Sequence, residues 1–220
     1  YTVLRYDHRG HGRSEAVAGP YDMAMLADDA AGLINAHAGG PVHFVGLSMG
    51  GMTAQALAAK HPQLLRSITV ANAAMYYDEA ARAMWAARVQ TVLAQGMAAI
   101  ADGALQRWFT PEFRADETGG GKQRVAALRE RLVATDAAAY AASCEAVAGI
   151  DFRAGNGGIP CPALVIAGTR DEATPLAMSE AICKSIPGAQ LQTLPAAHLS
   201  AVEQPAAFAG LLERFFEGLR

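Results

Sequence analysis

One glycine-flanked serine constrains this chain more than any other feature. Gly46-Leu47-Ser48-Met49-Gly50-Gly51 follows a short apolar run, Val42-His43-Phe44-Val45, and opens onto an Ala-rich stretch that ends near Pro62. The bare pattern G-x-S-x-G recurs by chance in a glycine-rich chain, so its setting carries the argument. Between an expected strand and an expected helix it reads as a nucleophile elbow. Small flanking residues let the backbone reverse sharply and lift the Ser48 hydroxyl above the edge of a sheet. The bland alternative is a plain turn serine, which would need no such flanks.

The rest of the chain supplies the sheet. Strands are expected at 2–6, 42–45, 67–71, 163–167 and 190–194, with helices near 23–37, 49–61 and 176–185 between them. Ala163-Leu164-Val165-Ile166-Ala167 is apolar without alternation, the signature of a parallel strand covered on both faces. Pro62 and Pro187 sit where two helices should stop. Phe208, Leu211, Leu212, Phe215, Phe216 and Leu219 recur every three or four residues behind Pro205, which suits a helical first turn. Such alternation predicts an α/β architecture with helices on both faces of a mostly parallel sheet. Residues 75–158 break the rhythm: they are helix-prone, rich in Ala, Arg and Met, and offer no convincing strand. They are expected to form an all-helical cap on a core of residues 1–74 and 159–220, the alternative being a helical flank of the core.

Composition narrows the class. A chain of 220 residues suits one domain with an inserted subdomain. With a net charge of −3 and no cluster of Lys and Arg, no nucleic-acid surface is expected. No apolar run approaches the roughly 18–20 residues of a membrane span. Cys144, Cys161 and Cys183 are unevenly spaced and form no C-x-x-C, so they read as buried thiols of a cytoplasmic protein.

A serine hydroxyl attacks only if a base takes its proton, and that base needs a third group to fix its tautomer. Asp171 follows the strongest expected strand, in Gly168-Thr169-Arg170-Asp171, and His198 follows the last, in Pro195-Ala196-Ala197-His198. Each has a duller reading alone. Asp171 could be a helix N-terminal acid, with Glu172 its rival, and His198 a loop histidine. Together they place Ser, Asp and His in the order of an α/β-hydrolase triad. Of the other histidines, His8 and His11 lack an acidic or thiol partner, so no metal is expected; His37, His43 and His61 read as structural. Gly10-His11-Gly12 lacks the remainder of a phosphate loop and reads as a tight turn.

Asp7-His8-Arg9-Gly10-His11-Gly12-Arg13-Ser14 resembles the D-x-R-G-x-G-x-S turn after the fourth strand of α/β-hydrolases, and the elbow, the G-x-x-D and His198 with Glu203-Gln204-Pro205 fit the same superfamily. Within it the chain looks most like the bacterial 3-oxoadipate enol-lactonases. Three segments carry that likeness: Gly19-Pro20-Tyr21; Leu132-Val133-Ala134-Thr135 with Ala138-Ala139-Tyr140; and Leu194-Pro195-Ala196-Ala197-His198-Leu199-Ser200. The resemblance implies a hydrolase of a small carboxylate-bearing enol-lactone in aromatic catabolism, without metal or organic cofactor. It makes Ser48 the nucleophile, His198 the base and Asp171 its orienting acid.

The Met49 backbone N–H is the expected oxyanion donor. Trp108 is a candidate wall of the substrate pocket, and Arg82, Arg88, Arg107, Arg124, Arg129 and Arg131 are candidate anchors for the carboxylate. By the same resemblance Tyr1 falls at the fourth strand of the fold. Three earlier strands, and the loop with a second oxyanion donor, are then expected to lie outside this chain. The alternatives are a general carboxylesterase, a carbon–carbon bond hydrolase on the same triad, or a non-catalytic hydrolase-like module.

Overall fold

A computed structural model describes residues 1–219. Four strands, β1 (Val42–Leu47), β2 (Leu65–Ala71), β3 (Ala163–Gly168) and β4 (Gln190–Leu194), form one parallel sheet in sequential order. Helices α1 (Met23–His37) and α2 (Met49–Lys60) lie around β1 in the chain. Then α3 (Glu79–Gln95), α4 (Ala98–Trp108), α5 (Pro111–Ala115), α6 (Gly121–Val133) and α7 (Ala137–Ala148) run between β2 and β3. Helix α8 (Leu176–Ser185) joins β3 to β4, and α9 (Ser200–Glu203) and α10 (Pro205–Glu217) follow β4.

The two faces of β3 explain its unbroken apolar run. Ala163 and Val165 join a core made with α1, α2 and α8, including Leu26, Met52, Leu57 and Ile182. Leu164 and Ile166 turn the other way, against Phe208, Leu211 and Phe215 of α10. Side chains alternate along a strand, so covering both faces requires every position to be apolar. The regularly spaced residues of α10 form the stripe that does the covering. Asp22 starts α1 by accepting the Met25 N–H at 2.7 Å, satisfying one of the donors that a helix leaves free at its beginning.

The expected strand at 2–6 does not form. Residues 1–5 are exposed and pair with none of the four strands, and β1 is an edge strand of the described sheet. An apolar run becomes a strand only where a neighbour accepts its backbone hydrogen bonds. The Tyr1 ring instead meets His43 and Phe216 edge-on, with centroids 5.9 and 5.5 Å away.

Between β2 and β3 the regular elements of the described chain are helices, joined by loops, apart from one bridge, Tyr76 against Asp151. There the Phe152 N–H donates to the Met75 carbonyl at 2.8 Å, so the two ends of the excursion meet. Within it, Val89, Val92, Met97, Tyr140, Ala141 and Cys144 form a separate small core. The return to the sheet is fixed by a buried polar knot. The Asn156 amide donates to Gln55 Oε1 at 3.0 Å and to Ser185 Oγ at 2.9 Å. Gln55 in turn donates to the carbonyls of Gly51 and Ala74. Asn156→Leu would leave Gln55 Oε1 without its donor and should cost about 1–3 kcal/mol of unfolding free energy. Urea denaturation measures this, and an unchanged midpoint would deny the knot a stabilising role.

Candidate active site

Ser48 lies between the end of β1 and the start of α2 with φ 56° and ψ −117°, a backbone state that costs a non-glycine residue about 1–3 kcal/mol. The surroundings enforce it. A Cβ at Gly46 would collide with the carbonyl of Gly50, so strand and helix can approach this closely only over a glycine. The Ser48 N–H donates to the Ala71 carbonyl at 2.8 Å, fastening the turn to the end of β2. Met49 is the first residue of α2, and its N–H is among those with no acceptor inside the helix.

The parallel sheet brings the other groups to the same edge, because each follows the carboxyl end of its strand. His198 Nε2 lies 2.8 Å from Ser48 Oγ, and His198 Nδ1 lies 2.9 Å from Asp171 Oδ2. Both His198 and Asp171 are buried. A Cβ at Gly168 would strike the carbonyls of Ala196 and Ala197, so that glycine lets the His198 loop close onto β3. Glu172, the rival acid, is exposed.

Asp171 is held from several directions. Oδ1 accepts the N–H groups of Ala173 and Thr174 at 2.8 and 2.9 Å. Oδ2 accepts from Thr174 Oγ1 at 2.7 Å and from the Asn72 amide at 2.9 Å. Burial alone would raise its pKa; the hydrogen bond and charge of His198, with the Thr174 donors, outweigh that and hold it below the usual aspartate value. Asn72 was not among the residues singled out from sequence. It follows β2 directly, has φ 46°, and accepts from Ser200 Oγ at 2.6 Å. Its signal was position: a polar residue at a strand end, level with Ser48, Asp171 and His198.

The helical segment reaches the same place. The Trp108 ring lies over His198, centroids 6.4 Å apart at 30°. The Leu199 N–H donates to the Trp108 carbonyl at 3.1 Å. Glu203, buried, accepts from the Thr110 N–H at 2.8 Å and from Thr110 Oγ1 at 3.1 Å. The residues around Trp108 are thereby tied to the segment that carries His198, and Glu203, quoted from sequence only as part of a motif, acquires a specific partner.

The remaining candidates separate. His43 lies 2.8 Å from Ser67 Oγ and His61 2.7 Å from Asp28, both plain structural contacts, while His37 is exposed. His8 is pushed down to about 4, chiefly by burial and then by the charge of His11. The three thiols are free, and burial pushes Cys144 up to about 11. Among the described residues no three His, Cys, Asp or Glu side chains are gathered to hold a metal ion. No described helix is long and apolar enough to cross a membrane.

Residues 1–205 match the alpha/beta hydrolase fold family. The chain belongs to that family. It is 40% identical over 208 residues to 3-oxoadipate enol-lactonase 2 of Acinetobacter baylyi, covering 94% of this chain and 76% of the relative. To 3-oxoadipate enol-lactonase 1 of the same organism it is 33% identical over 221 residues, covering 100% and 80%. The crystal structure of the enol-lactonase from Burkholderia xenovorans LB400 superposes with a TM-score of 0.91 at 38% identity, covering 97% of this chain and 80% of that one. This chain is therefore an alpha/beta hydrolase enzyme, similar to the 3-oxoadipate enol-lactonases.

Because the folded pKa of Asp171 is lowered, its ionised form stabilises the fold above the ordinary aspartate pKa, about 4, and that contribution is lost as pH falls through the lowered folded value. The wild-type unfolding midpoint should therefore drop on acidification below about pH 4. Asp171→Asn should remove part of that drop. An identical acid limb in the variant would contradict the assignment.

Proposed function

We propose that this hydrolase opens a small carboxylate-bearing lactone, 3-oxoadipate enol-lactone, through an acyl-enzyme on Ser48, His198 and Asp171. The relay from Ser48 Oγ to His198 Nε2 and from Nδ1 to Asp171, at 2.8 and 2.9 Å, is the observation that carries this reading. His198 takes the Ser48 proton as Oγ attacks the lactone carbonyl, and the Met49 N–H donates to the oxyanion. The ring C–O bond then breaks, and the departing enol oxygen receives a proton from His198. The leaving group stays tethered to the acyl chain, so its conversion from enol to ketone is what prevents the ring from closing again. Water, deprotonated by His198, releases the product carboxylate and restores Ser48. Asp171 holds the imidazole with Nε2 toward the serine and stabilises its cationic form.

In this reading residues 75–158 form a cap over a core of 1–74 and 159–220, with Trp108 as one wall of the pocket. The meeting of Met75 with Phe152 at the base of the excursion supports the division. The partner is the small-molecule substrate, with no nucleic acid, membrane or cofactor. Three free thiols suit a cytoplasmic location.

A serine-directed organophosphate should label the protein once, and Ser48→Ala should abolish both labelling and turnover. Labelling that survives in the variant would remove Ser48 from the mechanism. Asp171→Asn should lower kcat by roughly 10⁴-fold, whereas Glu172→Gln should not lower it. The enol-lactone should be turned over faster than a neutral nitrophenyl ester; the opposite ranking would favour a general carboxylesterase.

A further inference from the structure

Asn72 joins three strand ends. It follows β2, its amide nitrogen reaches Asp171 behind β3, and its amide oxygen meets Ser200 behind β4, two residues past His198. Asn72 and Ser200 are wholly buried, so their polar atoms must find partners inside the protein. The glycine that ends β3 leaves room for this arrangement: a Cβ at Gly168 would come within 3.1 Å of Asn72 Nδ2.

The direction of the amide follows from its neighbours. Asn72 Nδ2 lies 2.9 Å from Asp171 Oδ2 and 3.4 Å from the Ala197 carbonyl oxygen. An ionised carboxylate and a backbone carbonyl only accept, so this end of the side chain must be the donating one. Oδ1 therefore faces Ser200 Oγ, and the Ser200 hydroxyl donates to it at 2.6 Å. A donor at the amide oxygen polarises the amide and strengthens its N–H groups as donors. The hydrogen bonds thus run one way, from Ser200 through Asn72 to Asp171 Oδ2, the oxygen that also accepts from His198 Nδ1.

That oxygen has a competitor. Thr174 Oγ1 lies 3.2 Å from His198 Nδ1, against 2.9 Å for Asp171 Oδ2. Both atoms can accept the imidazole proton, but only the carboxylate carries the charge that stabilises an imidazolium. Thr174 Oγ1 also donates to Oδ2, at 2.7 Å. With the Asn72 amide gone, Thr174 alone would hold that oxygen, and the imidazole N–H would be drawn toward the neutral hydroxyl.

We propose, on the reading of Ser48, His198 and Asp171 as the reacting groups, that Asn72 and Ser200 are a pair of positioning residues. Ser200 orients and polarises the Asn72 amide, and Asn72 keeps Asp171 Oδ2 as the acceptor of His198 Nδ1. Both act through Asp171 rather than on the substrate.

Asn72→Gly removes the amide and suits the positive φ of 46°. It should lower kcat for nitrophenyl acetate by about 10- to 100-fold and leave KM within about threefold. Ser200→Ala should lower kcat by about 3- to 10-fold. Because Ser200 acts only through Asn72, the double variant should be no slower than Asn72→Gly. Losses that multiply would mean two independent structural effects and would overturn the pair, as would a raised KM with kcat unchanged.

Proton NMR supplies a readout that needs no turnover. The His198 Nδ1 proton should resonate far downfield in the wild type. Asn72→Gly should move it upfield, and Ser200→Ala should move it less in the same direction. A role in the fold alone would lower the unfolding midpoint and leave the resonance in place. If Asn72→Gly does not fold, Ser200→Ala decides, and an unmoved resonance there overturns the proposal. A wild type without the downfield proton, or a Ser48→Ala variant that still hydrolyses the ester, removes the triad and the pair with it. A wild type that leaves the lactone intact, but whose ester hydrolysis responds to both variants as stated, keeps the pair and loses only the lactone.

Discussion

An ionised carboxylate with no access to water must find its hydrogen-bond donors within the protein, and here one such group organises the whole site. The Asp171 side chain is fully withdrawn from solvent and receives five hydrogen bonds, from Asn72, Ala173, two groups of Thr174, and His198. Those donors come from the ends of β2, β3 and β4. Moving any one of the strands would leave a buried charge short of a partner, at a cost well above that of an ordinary surface contact. The requirement fixes the His198 ring, and the ring fixes the direction from which the Ser48 hydroxyl can be deprotonated.

The sheet makes this convergence possible. In a parallel sheet all carboxyl ends lie along one edge, so loops far apart in sequence arrive side by side. Ser48 and Asn72 are both held with positive φ, which is unfavourable for non-glycine residues. Each is tied down by a neighbouring strand: the Ser48 N–H by the Ala71 carbonyl, and the Asn72 N–H by the Ile166 carbonyl, both at 2.8 Å. Local strain is retained at the proposed nucleophile and at the support of its acid because the surrounding hydrogen bonds leave no alternative.

The helices between β2 and β3 are attached to this edge by polar links as well as by packing. The pairs Glu203–Thr110 and Leu199–Trp108 bracket the place where Trp108 meets His198. A shift of α4 would therefore be felt at the imidazole. That coupling gives the helical segment a direct means of shaping what can reach Ser48.

The local signals in the sequence were strong where a residue's role depends on its neighbours. The strands from Val42 onward followed from short apolar runs, the last helix from its three- and four-residue spacing, and the elbow from a glycine-flanked serine whose Gly46 leaves no room for a side chain. Ser48, Asp171 and His198 were legible because each sits directly behind a strand whose pattern is plain. Asn72 and Glu203 were not, since the partners that define their roles lie 99 and 93 residues away, and a strand-end position or a place in a motif does not name a partner. The segment 2–6 was misread for the converse reason: its pattern is that of a strand, but a strand exists only with a neighbour to bond to. The sequence by itself determined the order of elements and the chemistry available at each strand end. Only the tertiary structure decided which carboxylate meets His198 and which amide supports it, because those are distances between residues remote along the chain.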